Sequence, residues 1–324
     1  MHRRHYVRWI ACCAIPLLAS TVLAEDWPKG PVRVIVPYAA GSTPDLLARL
    51  VSERLATRLG KPLVVDNKPG AAGNLGTDAI AKAAPDGQTI GVSIAGPLAV
   101  NTLLFKKMPY DPAKDLEPVT IAATQPAVLI VSNKIAASNL ADLLGLLKKN
   151  PKKYSFSSMG AGTVSHLGME ALASRADAEL AHVPYGGSGA AVTAVISGEV
   201  DMALLPAATV MPQMKGGKVK GLAIASAQRS PSLPDLPTLA ESGVADVQAD
   251  AWIGFVVPAR TPAEITKRLH SELVQILAEP AIREKLRVAY MDPVANTPAE
   301  FRSVLAADLA RWKPVIQKHN ITLD

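Results

Sequence analysis

Beyond residue 30 the chain alternates short apolar runs with stretches whose apolar residues recur at helical spacing. The runs Val32–Val36, Leu63–Asp66, Thr89–Ile94, Ala127–Val131, Tyr154–Ser157, Leu180–Val183, Val200–Leu205, Val219–Ala225 and Trp252–Val257 have the length and composition of buried strands. Between them, Leu46–Leu59, closed by Gly60, and Asn139–Lys149, preceded by Ser138, read as amphipathic helices. This alternation predicts an α/β fold, with mostly parallel sheets covered by helices on both faces. The C-terminal part is richer in helix. Thr-Pro-Ala-Glu occurs at Thr261–Glu264 and again at Thr297–Glu300. Each copy predicts a Thr N-cap, Pro at the first helical position and Glu closing a capping box.

Two breaks interrupt the pattern. Pro126 divides a strand-like stretch from Thr120 to Val131, and Ser226–Pro237 is polar and rich in Pro. Two crossings imply one discontinuous lobe, 25–124 with 226–324, and one inserted lobe, 125–225. A waist of two extended segments permits closure around a ligand.

Residues 1–24 form a separate unit. Arg3, Arg4 and Arg8 precede an apolar stretch from Trp9 to Leu23, and Val22-Leu23-Ala24 is a small-residue cleavage site. The expectation is a secretory signal peptide removed after Ala24, which makes the mature protein periplasmic. Both cysteines, Cys12 and Cys13, lie inside it, so the mature chain has no thiol, disulfide or Cys-metal site. Its loss takes three of the 34 basic residues and none of the 28 acidic ones, leaving 31 against 28. That balance is not a nucleic-acid footprint. With aromatics at 4%, a base- or sugar-stacking surface is not expected either. Roughly 300 residues suit two lobes, each with its own core.

Catalytic signatures are weak. The mature histidines, His166, His182, His270 and His319, show neither HxH nor HxxxH spacing, and no metal site is expected. Gly186–Ala190 misses the nucleophile elbow because Ala190 stands at its last glycine. Ser165 and His166 suggest an exported serine hydrolase, but neighbours on one helix point in different directions. The run from Gly160 to Ser165 approaches a dinucleotide motif but ends in Ser; no cofactor is expected.

Four loops carry more information. Val32–Val36 turns through Gly41-Ser42-Thr43-Pro44-Asp45 into a helix, and strand–loop–helix junctions of this kind present backbone N–H groups to anions. The plan recurs before Asn74 and Gly76, at Gly160-Ala161-Gly162 before Thr163 and Ser165, and at Gly186-Gly187-Ser188-Gly189. At the carboxyl ends of parallel strands, such loops face one crevice. Helix N-termini without a dedicated Lys or Arg suit a carboxylate, each contributing roughly 0.3–1 kcal/mol when exposed. Asp45 reads as the partner of Ser42 in a capping box or as a ligand contact. Tyr38 and Tyr185 either line the pocket or cover strand ends.

Taken together, the stretches VPYAAGSTPDLLAR, VDNKPGAAGNLGTDAIAKAAPDGQTI, DLEPVT, GAGTVSHLGMEAL, HVPYGGSGAAVTAVISGEVDM and WIGFVVPARTPAEI resemble the substrate-binding proteins of tripartite tricarboxylate transporters. This is the Bug or TctC family of periplasmic binding proteins. The resemblance implies a two-lobed fold like that of type II periplasmic binding proteins. It also implies a non-enzymatic, monomeric receptor that delivers a small carboxylate-bearing molecule to membrane transporter subunits. A ligand sensor for a membrane signalling protein is the alternative. Carried onto this chain, the ligand contacts would be Tyr38, Gly41, Ser42 and Asp45 on one side, with Asn74 and Ser93 reaching the cleft. Gly160, Thr163, Ser165, His166, Tyr185 and Gly187 would face them, with Asp201 at a strand start. The chain departs from the family pattern at Ser42, at Pro44 and at Gly186, where the family often has Lys. Ser42 is expected to narrow the pocket floor and add a donor.

Overall fold

The computed structural model describes residues 27–323. The expected signal peptide lies outside the described residues. The first lobe opens with β1 (Val32–Val36), α1 (Thr43–Leu59), β2 (Leu63–Asn67), α2 (Asn74–Ala81) and β3 (Thr89–Ile94). Two short helices, α3 (Asn101–Leu104) and α4 (Pro112–Asp115), lead into β4 (Leu116–Gln125). After Pro126 the second lobe comprises β5 (Ala127–Ser132), α5 (Leu140–Lys149), β6 (Ser155–Ser158), α6 (Val164–Arg175) and β7 (Ala181–Pro184), then α7 (Ser188–Ser197), β8 (Met202–Pro206), α8 (Ala207–Lys215) and β9 (Val219–Ile224). The chain returns through β10 (Ala251–Pro258), α9 (Ala263–Ala278), α10 (Pro280–Val288), β11 (Asp292–Pro293) and α11 (Pro298–Lys318).

The strands form two sheets, ordered β11-β4-β10-β3-β1-β2 and β7-β6-β8-β5-β9. β1 pairs in parallel with β2 and β3, and β6 with β7 and β8. β10 is antiparallel to β3 and β4, and β5 is antiparallel to β8 and β9. Each sheet is therefore mixed, where the alternation predicts mostly parallel pairing. The reason is the double crossing. The other long strands end at the face between the lobes, whereas β5 and β10 begin there, because they bring the chain in from the other lobe. The interlobe face thus receives the carboxyl ends of β1, β3, β6 and β8 and the amino end of β10.

Burial follows the pleat. Val34 and Val36 belong to one buried cluster with Leu47, Val51 and Leu55 of α1, while Ile35, on the opposite face, clusters with Ile80 of α2. Each such aliphatic side chain stabilises the fold by about 1.5–3 kcal/mol relative to exposure. α1 stops at Gly60, whose φ of 67° is left-handed, a conformation glycine adopts without a Cβ penalty.

The two Thr-Pro-Ala-Glu copies behave differently. Thr297 and Glu300 make the reciprocal capping box at the start of α11. In the first copy Pro262 is the N-cap of α9, and the Thr261 hydroxyl donates to Pro258 O at 2.7 Å. The tight turn out of β10 captures that hydroxyl, so no box forms there.

α11 straps the lobes together. Phe301 packs edge-on against Trp252, with ring centroids 5.2 Å apart. Trp252 Nε1 donates to Asp308 Oδ2 at 2.8 Å. At the far end, Lys318 Nζ donates to Ser174 Oγ, and His319 Nδ1 lies 3.1 Å from Glu170 Oε2 on α6. His319 is therefore an interlobe contact.

Candidate functional site

A cavity of about 160 Å³ lies between the lobes. Three of the four anticipated loops reach it: the β1–α1 loop through Tyr38, the β2–α2 turn through Ala72, and the β6–α6 loop through Met159, Ala161, Gly162, Thr163 and Val164. The β7–α7 loop does not line it. Its place is taken by the π-type turn Gly96–Val100 after β3, together with Ala251 and Trp252 at the start of β10 and Leu323 near the chain end.

The β6–α6 junction leaves backbone donors unpaired at the start of α6. Leu167 N–H is the first to bond back into α6, to Thr163 O at 2.9 Å, which leaves the N–H groups of Val164, Ser165 and His166 without helical partners. The first turn of α6 carries no acidic residue. Side chains hold the loop from behind. Ser165 Oγ accepts from Met159 N–H at 2.9 Å, and Thr163 Oγ1 donates to Gly160 O at 2.7 Å. Gly162, at φ 73°, packs so closely on Leu104 that a Cβ there would sit 2.6 Å from Leu104 Cδ1.

His166 plays a bracing part. Its Nδ1 accepts from Gly162 N–H at 3.1 Å, which puts the ring proton on Nε2, facing Glu170 Oε1 at 3.5 Å. The ring stacks on His182 at a centroid distance of 3.7 Å. His182 Nε2 in turn meets Ser158 Oγ at 2.7 Å. Burial, then the neighbouring His166, lowers His182 to about 4, with Glu170 opposing. Ser165 and His166 share no hydrogen bond: Ser165 Oγ meets Met159 N–H and Thr163 Oγ1, and His166 Nδ1 accepts from Gly162 N–H. The nucleophile–base pair required by the hydrolase reading is not assembled.

The first-lobe wall differs. In the first turn of α1, Asp45 is 1% exposed. Its carboxylate accepts from Gly41 N–H at 2.8 Å, Asn67 Nδ2 at 2.9 Å and Arg49 Nε at 3.0 Å. Burial alone would raise its pKa, but these hydrogen bonds outweigh burial and hold it low. The capping box expected with Ser42 is absent, since Asp45 reaches Gly41 N–H instead and no N–H donates to Ser42 Oγ. That hydroxyl is buried with no hydrogen-bond partner, and Ser42 is not part of the cavity wall. The floor is instead Tyr38, whose hydroxyl rests against Gly73. A Cβ at Gly73 would fall 2.7 Å from that oxygen and 2.6 Å from Pro97 Cγ. Burial, with Tyr110 nearby, pushes the Tyr38 phenol well above its ordinary pKa, so it remains an O–H donor.

Of the expected contacts, Tyr38 and Thr163 line the cavity; Gly160, in the preceding loop, and Ser165, in the first turn of α6, do not. Asn74 lies one layer behind. Its Oδ1 accepts from Asn101 Nδ2 at 2.7 Å and Tyr110 OH at 3.2 Å, and it is Asn101 that faces the cavity. Ser93 is fully buried beside Thr77, 3.4 Å between hydroxyl oxygens, while its neighbours Ile94 and Ala95 reach the site. Gly41 and Gly187 face open space next to their helices. Tyr185 donates to Glu199 Oε1 at 2.9 Å, away from the cavity. Asp201 precedes β8 and accepts from Ser155 N–H at 2.8 Å, at the end of the sheet opposite the cleft. Asn101, Met159, Trp252 and Leu323 had no signal of their own. Only the direction of β10 singles out Trp252, which opens the strand returning from the waist.

A two-lobed α/β protein with converging strand–helix junctions over an interlobe cavity is a solute-binding architecture. The model of the tripartite tricarboxylate transporter family receptor matches residues 47–321, and the chain belongs to that family. A protein of Pseudomonas sp. (strain P51), described as the UPF0065 protein in the tcbD-tcbE intergenic region, is 33% identical over 97% of this chain and 94% of its own. Protein BugT of Bordetella pertussis is 34% identical over 93% of both chains. Among solved structures, R. palustris Rpa4515 with adipate superposes with a TM-score of 0.81 at 31% identity, covering 92% of this chain and 99% of that one. MatC from Rhodopseudomonas palustris with bound malate gives 0.75 at 30% identity, covering 90% and 100%.

Proposed function

We propose that this chain is a periplasmic receptor that captures a small carboxylate-bearing molecule in the interlobe cavity and hands it to a tripartite tricarboxylate transporter. The observation that carries this reading is the α6 junction. Val164, whose N–H has no helical partner, lines the cavity at the start of a helix with an acid-free first turn, where a carboxylate gains from both the donor and the helix dipole. The lobes are 25–124 with 226–324 and 125–225, and they close by bending at Pro126 and at 226–237. Closure places both lobe surfaces in one arrangement, which is what a membrane partner distinguishes from the empty form. The relatives solved with adipate and malate support a carboxylate ligand.

A thermal-shift screen of the purified protein against a carboxylate panel tests the reading. A true ligand at about a hundred times its dissociation constant stabilises the fold by about 2.7 kcal/mol, and the ligand is recovered unchanged. Turnover of the bound compound, or no shift with any carboxylate, overturns the proposal.

A further inference from the structure

The end of α11 decides where the chain goes next, and the segment beyond it forms part of the cavity. Asn320 takes a left-handed φ of 50°. Its N–H donates to Gln317 O at 3.4 Å, and the Ile321 N–H donates to Ile316 O at 3.1 Å. This paired closure ends many helices: a Gly or Asn turns left-handed, and the apolar residue after it packs back on the last turn. Ile321 is that residue, buried in one cluster with Ile316. The reversal leaves Thr322 exposed and brings Leu323 to the seam between the lobes. There the Leu323 N–H donates to Leu104 O of the first lobe at 3.0 Å, and its side chain lines the cavity. Across the seam, a Cβ at Gly162 of the second lobe would lie 3.1 Å from Leu323 Cδ1 and 2.6 Å from Leu104 Cδ1.

Several other large side chains of the wall are fixed by the framework. Ile94 belongs to β3 and Val164 to α6, Tyr38 is confined by Gly73, and Trp252 is held by Asp308 and Phe301. Resizing any of these disturbs a strand, a helix or a brace. Leu323 lies beyond the last helix, and its tie to the first lobe is a main-chain bond that any residue except Pro can make. Its side chain can therefore change the cavity without changing the fold. Building on the receptor reading above, we propose that Leu323 is a specificity-determining residue. Its side chain stops the cavity at the seam beside Gly162, so its size sets how long an acid fits between the lobes. Removing it beyond Cβ adds that space to a cavity of about 160 Å³; a single Leu→Ala deletion in a packed interior leaves room for benzene.

Isothermal titration calorimetry with straight-chain acids of rising length, alkanoates from butanoate to octanoate and diacids from succinate to suberate, tests this. The proteins are the wild type, Leu323→Ala, Leu323→Phe and, as a control, Thr322→Ala. Each further methylene buried is worth about fourfold in affinity while the cavity has room for it. In Leu323→Ala the preferred chain is expected to lengthen by about one to three carbons, and the affinity ratio of the longer acid to the wild-type favourite to rise about tenfold or more. In Leu323→Phe the preference is expected to shorten, and Thr322→Ala should stay within about twofold of the wild type for every acid. A merely structural role would lower the affinities for all lengths by one factor and leave their order intact. If the order is the same in the wild type and both Leu323 variants, the proposal fails while the receptor reading stands. If no acid binds to protein that still unfolds cooperatively, both fall together.

Discussion

Replacing Asp45 with Ala separates a brace from a ligand contact. The carboxylate accepts from Gly41 N–H, Asn67 Nδ2 and Arg49 Nε, all within 2.8–3.0 Å. The first two are charge-assisted bonds inside the fold, worth about 1.5–3 kcal/mol each. Arg49 is 51% exposed, so its pairing adds at most about 1 kcal/mol after solvent screening. Removing the charge also relieves its desolvation, and the net loss should be about 2–4 kcal/mol of unfolding free energy. Asn67 also holds Tyr38 O at 3.0 Å, so loosening it unsettles the cavity floor, and affinity should fall about tenfold. Asp45→Asn, which keeps an acceptor for Gly41 N–H, should lose less of both. In the wild type, the Asp45 contribution is present above the ordinary carboxylate pKa of 3.8 and disappears as pH falls through its lower folded value. Urea unfolding followed by circular dichroism measures the first quantity and calorimetry the second. A stability change under about 0.5 kcal/mol with a 100-fold loss of affinity would refute the brace and make Asp45 a ligand contact.

Other outcomes follow from the same geometry. Gly73→Ala should cost about 1–2 kcal/mol from its left-handed φ alone and should also weaken binding, since the new Cβ displaces Tyr38 and Pro97; unchanged affinity would contradict the floor assigned to Tyr38. His182 is held neutral, its pKa lowered from 6.5 to about 4, so the unfolded chain takes up that proton first. Stability should therefore rise by ~1–2 kcal/mol between pH 4 and 6.5, after allowance for partial solvent screening, and His182→Phe should flatten that slope in urea midpoints. Asp201→Ala should lower stability by about 1–3 kcal/mol through the lost acceptor for Ser155, yet leave affinity within about twofold; a tenfold loss would place Asp201 in the binding path.

Much of this arrangement was legible before any coordinates. The strand runs and the α1 and α5 patterns are local signals, because a two-sided sheet demands continuous apolar runs and a covering helix demands a stripe. The β6–α6 junction was legible for the same reason: its glycines and hydroxyls lie together in sequence. What stayed hidden depends on distant segments meeting. Asn101 stands in front of Asn74 only because the turn after β3 folds over α2. Trp252 looks like any core strand residue until β10 is seen to begin at the cleft, and Leu323 has no pattern to announce it. Asp201 erred in the other direction. A residue before a strand lies at the end of the sheet away from the loops, whatever its charge. The twin Thr-Pro-Ala-Glu motifs show the limit of a local rule, since Thr261 was already held by Pro258 O.

The carboxylate reading is tested most directly by a crystal structure of the protein grown with the carboxylate that raises its melting temperature most. Density is expected between the lobes, with a carboxylate oxygen about 2.7–3.2 Å from the N–H group of Val164. A ligand bound on an outer face, or one whose carboxylate turns toward Asp45 with α6 unoccupied, would contradict that reading.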